Sequence, residues 1–331
     1  MKFLYCGMQN FGGPGRIGKD LATFIQSKGG EFYWFHNSEK VSPSFECVNN
    51  INIDSVLTGN FDIIFYNQWR TKTIFEHFNG LSNQILFLMY EEIPKYWEDF
   101  TTTKNRIVSS SNSINNCLGI NADVISWAFP PLQEKEIKSN KLPTLFYPVR
   151  NGGEKDRKGV MQFSKSLQYI HSNFSIIMLL EKSVHDFYKQ NAPEIFTDER
   201  LLIIENELSD EQYINLFSQC DALLSTSKTS GIELALREGV AFYKDIIVPN
   251  IRPFNEVFNA KNAWLIDAEN VDNTSFEDNI IKISIFQAKP EGIADAINDY
   301  CHNFKLNIKK KVEPSYFYEL FLNKLNTLLC L

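Results

Sequence analysis

Residues Ser225–Phe258 read STSKTSGIELALREGVAFYKDIIVPNIRPFNEVF. They follow a short apolar run, Ala222–Leu224, that reads as a strand. Ser, Thr and Lys open the stretch, Gly231 follows, and a helical run comes next with Glu238 inside it. A second apolar strand, Ile246–Val248, leads to another turn ending at Asn255 and Glu256 and then to a further helix. The order is strand, polar turn, helix, strand, polar turn, helix. In a parallel α/β sheet such turns gather at the carboxyl ends of the strands, where ligands bind. A purely local reading also stands, with Ser230 as a helix cap and Glu233 as its capping-box partner.

The same alternation extends both ways. Upstream, Phe3–Gly7, Phe32–Phe35, Phe61–Tyr66, Gln84–Met89, Ile107–Val108 and Asp123–Ser126 are short apolar runs separated by helix-length segments. Such runs indicate a parallel sheet covered on both faces. Gln133–Lys141 is charged and poor in apolar residues, as a linker would be. Thr144–Val149, Ser175–Leu180, Leu201–Ile204, Ala222–Leu224, Ile246–Val248 and Trp264–Ile266 repeat the pattern, and Pro148 is expected to end pairing in the first of them. Asp267–Asp278 is acidic. Pro314–Leu331 carries Phe317, Leu320, Phe321, Leu325 and Leu328 at helical spacing.

A chain of 331 residues suits two domains of ordinary size, and 44% hydrophobic residues with 27 Phe can fill a core in each. The net charge of −7 does not favour nucleic acid as the main partner, although a local basic patch can override a mean. The six cysteines contain no CxxC pair and read as reduced thiols of a cytoplasmic protein. The five histidines show no metal-binding spacing, so no metal is expected. No apolar run approaches the roughly 20 residues of a membrane span, which leaves only peripheral membrane contact. The apolar stretch after Lys2 is too short for a signal peptide.

Two loops carry candidate chemistry. After the first strand comes Asn10-Phe11-Gly12-Gly13-Pro14-Gly15-Arg16, where backbone N–H groups and a helix dipole could meet an anion. Gly13, Gly18 and Lys19 fit a P-loop, but Asp20 stands where a Ser or Thr would ligate Mg²⁺. Gly13, Gly15 and Gly18 fit a dinucleotide fingerprint, but no acidic residue closes the second strand. Gly12, Gly13 and Arg16 fit a third pattern, taken up below. The second loop, Arg150–Gly159, holds Arg150 and Lys158. Two fixed cations there would attract an anionic group, each by about 4 kcal/mol of gross attraction at about 4 Å and an effective dielectric near 20. Otherwise it is a solvated basic loop. Glu91 and Glu92, after the strand Gln84–Met89, read either as carboxylates at a helix N-terminus or as acceptor-binding or acid/base groups.

The stretch Ser225–Phe258 resembles the donor-site signature of GT-B retaining glycosyltransferases, in particular the family 4-like enzymes. That signature has two glutamates eight positions apart, a strand, and a Glu-Val pair. Glu256-Val257 and Glu238 match it; Ser230 stands at the first glutamate and Asp245 at a usual proline. Gly12, Gly13 and Arg16 resemble the family's GG-x-x-R opening loop, and Arg150 with Lys158-Gly159 its diphosphate-binding loop. The Ser109–Asn112 turn and the Pro130-Pro131 exit also have family counterparts, whereas Glu181-Lys182 replaces a glycine-rich turn.

The resemblance implies an α/β protein of two Rossmann-like domains facing across a cleft. Residues 1–132 would form an acceptor domain, joined by a C-terminal helix at 313–331 that crosses back, and residues 142–312 a nucleotide-sugar donor domain. It implies a sugar moved from a nucleoside diphosphate, UDP favoured, to an acceptor hydroxyl with retention and without metal or other cofactor. Arg150, Lys158 and Glu91 would be catalytic. Glu238 would hold ribose, Ser230 and Gly231 would lie near the sugar, and Gly12, Gly13 and Arg16 would close the site. The acceptor would be a glycan or a lipid-linked sugar. A rival is a DNA base, with Lys72, Lys95, Lys104 and Arg106 as the basic face. Another is a non-catalytic nucleotide-sugar binder, motivated by Ser230.

Overall fold

The computed structural model describes residues 1–7, 13–35, 49–67, 72–78, 84–89, 105–132, 142–150, 156–205, 208–274, 283–310 and 312–330. The described residues form two compact units, one within 1–126 and 325–330, the other within 127–274 and 283–324. Gly12, Glu91, Glu92, Lys95, Lys104 and the linker Gln133–Lys141 lie outside the described residues.

The first unit runs β1 (Lys2–Cys6), α1 (Gly13–Ser27), β2 (Glu31–Phe35), β3 (Asn49–Ile51), α2 (Ile53–Thr58), β4 (Ile63–Asn67), α3 (Lys72–His77), β5 (Gln84–Leu88), β6 (Arg106–Ser109), α4 (Asn112–Leu118) and β7 (Asp123–Val124). Its strands pair in parallel in the order β3-β2-β1-β4-β5-β6-β7. Chain direction across the sheet therefore reverses between β1 and β4. Phe3, Leu4, Tyr5 and Cys6 are all fully buried, as expected of a strand covered on both faces. Tyr5 packs edge-on to Trp34 with centroids 4.9 Å apart and stacks on Phe65 at 6.0 Å.

Helix α1 begins at Gly13, earlier than the sequence suggests. Pro14 suits a first helical turn, because its fixed φ is already helical and its missing N–H would be unbonded there anyway. Gly13, Gly15, Arg16 and Gly18 are thus helical, which removes the P-loop and dinucleotide readings that needed a glycine loop across them and puts Gly13 and Arg16 of the GG-x-x-R pattern in the first turn of the helix, not in a loop. Gly18 serves packing instead: a β-carbon there would lie 2.2 Å from the Trp34 ring.

The second unit runs β8 (Thr144–Arg150), α5 (Val160–Ser166), β9 (Ser175–Leu180), α6 (His185–Asn191), α7 (Glu194–Thr197), β10 (Leu201–Ile204), α8 (Asp210–Gln219), β11 (Ala222–Leu224), α9 (Leu234–Ala241), β12 (Asp245–Pro249), β13 (Trp264–Ile266), β14 (Ala268–Thr274), β15 (Ile283–Ala288), α10 (Pro290–Lys305) and α11 (Pro314–Leu329). Six parallel strands take the order β10-β9-β8-β11-β12-β13. Leu145, Tyr147 and Val149 of β8 enter one apolar cluster and Phe146 the opposite one, so both faces are covered. Helix α11 belongs to the second unit as far as Lys324 and to the first from Leu325.

Two expectations fail in the second unit. Pairing does not stop at Pro148: Pro148 pairs with Leu179 and Arg150 with Leu180, with a register shift between them. The irregularity absorbs the missing N–H. No α-helix follows Glu256; Phe254–Glu256 is a single 3₁₀ turn that leads on to β13. Within the acidic stretch, β14 pairs antiparallel with β15. Its AENVDNT sequence has too few apolar residues to announce a strand.

Gly18→Ala is expected to cost about 1–3 kcal/mol through overpacking against Trp34. Urea denaturation of the variant and the parent checks this, and equal midpoints would show that the helix can shift freely.

Candidate active site

The strand order of the second unit places a topological switch point between β8 and β11. Loops leaving those two strands head for opposite faces of the sheet, which opens a crevice between them. The first loop carries Asp156, Arg157, Lys158 and Gly159, and the second is the turn Ser225–Glu233. Backbone and hydroxyl bonds join them. Lys228 N–H donates to the Arg157 carbonyl at 2.8 Å. The Lys158 carbonyl accepts from Thr226 Oγ1 at 2.8 Å and Tyr147 Oη at 3.0 Å. The Tyr147 and Thr226 hydroxyls lie 2.5 Å apart. Burial pushes the Tyr147 phenol well above its ordinary range, so it stays protonated and able to donate. Gly159 has φ +71, and a β-carbon on it would meet the Thr226 carbonyl oxygen at 2.2 Å. Only glycine satisfies both conditions.

Asp156 closes the base of this arrangement. It is buried, in a left-handed conformation with φ 57. Its carboxylate accepts from the N–H groups of Val160 at 2.8 Å and Met161 at 3.3 Å, from Tyr188 Oη at 3.2 Å and from Lys228 Nζ at 2.9 Å. It therefore caps α5 and neutralises Lys228 in one position. Sequence inspection missed Asp156. The only trace was a carboxylate three residues before a glycine at a helix start.

Lys158 Nζ meets Glu233 Oε1 at 2.5 Å, with side chains 15% and 3% exposed. Glu233 also accepts from Ser227 Oγ at 3.2 Å and from the Ser230 hydroxyl. Burial raises the Glu233 carboxyl, but the charge and hydrogen bond of Lys158, the charge of Arg157 and the Ser230 hydroxyl outweigh it. The group is held below the ordinary carboxylate range and is ionised at neutral pH. The capping-box reading fails: α9 starts only at Leu234, and Glu233 precedes it with φ 49 and ψ 70 and no side-chain cap. The left-handed backbone turns its carboxylate toward Lys158 instead of toward the helix N–H groups.

Lys158, Ser230 and Glu233 thus meet in one cluster, with Gly231 buried in the same turn. Arg150 leaves the end of β8 with φ 59, its Nε 3.9 Å from Glu181 Oε1. Glu238 is half-buried one turn into α9, about 6 Å along the axis from Leu234, and accepts from Tyr213 Oη at 2.8 Å. Burial lowers the neighbouring Arg237 to about 10, against the opposing charge of Glu256. Gly13 and Arg16 lie in α1 of the first unit, where Arg16 Nε is 3.4 Å from Asp20. Arg106 donates to the Leu328 carbonyl at 2.5 Å. Among the described residues no His, Cys, Asp and Glu group could hold a metal ion, and no helix is long and apolar enough to cross a membrane.

Asp156→Ala would leave the Lys228 ammonium, the Tyr188 hydroxyl and two helix N–H groups without their acceptor. A loss of about 3–5 kcal/mol is expected, with Asp156→Asn losing less because one acceptor oxygen remains. Equal urea midpoints for parent and Asp156→Ala would contradict this account.

No protein-family model matches the chain, and no curated protein sequence matches it. Solved structures do. HepE from Anabaena, in complex with UDP and glucose, superposes with a TM-score of 0.71 at 12% identity over 100% of both chains. A glycosyltransferase from Rickettsia africae ESF-5 gives 0.70 at 17% identity over 99% of this chain and 96% of that chain. The lipopolysaccharide outer core galactosyltransferase WaaB, in its apo form, gives 0.68 at 13% identity over 100% and 99%. At these identities the likeness is one of fold: this chain has the GT-B glycosyltransferase fold of two Rossmann-like domains.

Proposed function

We propose that this protein is a retaining glycosyltransferase that moves a sugar from a nucleoside diphosphate, UDP in the first instance, to an acceptor hydroxyl. The observation that carries the reading is Lys158, held beside the Ser225–Glu233 turn where the loops after β8 and β11 meet. In a doubly wound sheet this is where nucleotides bind. The GT-B neighbours, one with UDP and glucose bound, support the same reading.

In this reading the bond from the sugar's C1 to the diphosphate oxygen breaks, the acceptor oxygen forms the new bond to C1, and its proton passes to the departing diphosphate. The diphosphate gains charge as it leaves. Lys158 and Arg150 stabilise that charge, which is the part a metal ion plays elsewhere. Glu238 accepts from the ribose hydroxyls, with Tyr213 fixing its carboxylate. Ser230 and Gly231 border the sugar, and Gly13 and Arg16 with Gly12 belong to the first domain's contribution. Glu91 remains the candidate acceptor-side carboxylate. A glycan or lipid-linked sugar is the acceptor this reading favours over DNA, because Arg106 is engaged by the end of α11. Ser230, in place of a charged group, motivates the second reading of a nucleotide-sugar binder without turnover.

Isothermal titration with UDP-glucose and UDP-galactose, followed by mass detection of released UDP, separates the two. Glu238→Ala should weaken donor binding by about tenfold or more, the value of a hydrogen bond to a charged group, while the variant remains folded. Unaltered affinity would remove Glu238 from the site. Lys158→Ala should lower kcat by about a hundredfold while KM changes far less, because leaving-group charge exists mainly in the transition state. Parental kcat in that variant would count against the assignment.

A further inference from the structure

Glu233 has no part in the reaction just proposed, yet its placement is tightly constrained. It is buried, and it holds a left-handed backbone (φ 49, ψ 70) that glycine would adopt without steric cost. That conformation delivers a carboxylate to Lys158 at 2.5 Å. Two further cations around the switch point also face carboxylates: Arg150 faces Glu181 at 3.9 Å and Lys228 faces Asp156 at 2.9 Å. Asp156, besides, occupies the N-terminus of α5. The site is therefore far less attractive to anions than its count of basic residues implies.

A carboxylate beside a phosphate repels it in proportion to the phosphate's charge. In a nucleoside diphosphate sugar each phosphate has one ester and one anhydride linkage and carries one negative charge. In the free nucleoside diphosphate the terminal phosphate can lose a second proton, with a pKa of about 6 for such groups. Near neutral pH the product is thus more negative than the donor, at the end that Lys158 would face.

Resting on the donor-site reading above, we propose that Glu233 is a specificity residue: it disfavours the free nucleoside diphosphate relative to the nucleoside diphosphate sugar, and so promotes product release. The left-handed backbone is the cost of placing that charge. Lys158 keeps enough field to hold the donor, and Glu233 trims the surplus that would trap the product.

The test is titration calorimetry at pH 7.5 with UDP and with whichever of UDP-glucose and UDP-galactose the parent binds more tightly. It compares the parent with Glu233→Gln, which keeps an acceptor for Ser227 and Ser230, and with Glu233→Gly, which suits the left-handed backbone. Both variants should bind UDP about tenfold more tightly and gain less for the UDP-sugar, so that product inhibition by UDP strengthens. Equal shifts for both ligands, or weaker UDP binding in both folded variants, would overturn the proposal while leaving the donor site intact. A parent that binds UDP but neither sugar would overturn it too. A parent that binds none of these ligands would overturn the donor-site reading, and the role of Glu233 with it.

Discussion

Gly159 approaches Thr226 so closely that no β-carbon fits between them, and the rest of the site depends on that approach. It lets the Lys158 carbonyl receive two hydroxyls, Tyr147 from inside β8 and Thr226 from the turn after β11. Two loops that leave the sheet on either side of the switch point are thereby fixed to each other through part-buried hydrogen bonds. Groups held this way need little reorganisation when charge develops beside them, which is the condition for electrostatic stabilisation of a leaving group. The Lys158 ammonium inherits that rigidity because its own backbone is the fixed point.

Burial of charge is the second constraint. Asp156 and Glu233 are both nearly inaccessible, and an isolated carboxylate in such a place would be prohibitively costly. Each is met by a lysine and by further donors: N–H groups and a tyrosine for Asp156, serines for Glu233. The two ion pairs join the same two loops and are buried to a similar degree. Asp156 also occupies the N-terminal end of α5, so the dipole of that helix is already answered from within the protein. An incoming diphosphate would then rely on side-chain cations more than on this helix.

Backbone strain follows the same geography. Among the described residues, Arg150, Asp156 and Glu233 are the non-glycine residues with left-handed backbones at the ends of β8 and β11; Tyr243, Asn307 and Cys330 lie just past helix ends, where such conformations are ordinary. Strain of the first kind persists only where surrounding contacts over-determine it. Here those contacts are the ion pairs and the antiparallel strand β15, whose Phe286 N–H donates to the Lys228 carbonyl. The hairpin thus braces the turn that holds Ser227 and Ser230. One of its strands, β14, concealed it, because AENVDNT lacks the apolar run by which the sheet strands declare themselves; β15, ISIFQA, does carry apolar residues.

Strand and helix alternation was legible in residues such as Phe3–Cys6, Gln84–Leu88 and Ser175–Leu180, because strands buried on both faces read as near-continuous apolar runs. The loops that carry Arg150, Lys158, Ser230 and Gly231 could be placed for the same reason, since they begin where those runs stop. What the chain's order could not determine was partnership. Lys158 and Glu233 are 75 positions apart, and Asp156 and Lys228 are 72 apart. Their meeting depends on the position of β8 beside β11, and Glu233 read by itself resembles any helix-capping glutamate. Tertiary structure alone decided which acid answers which base, because the stability of a buried charge depends on distances that only the assembled sheet sets.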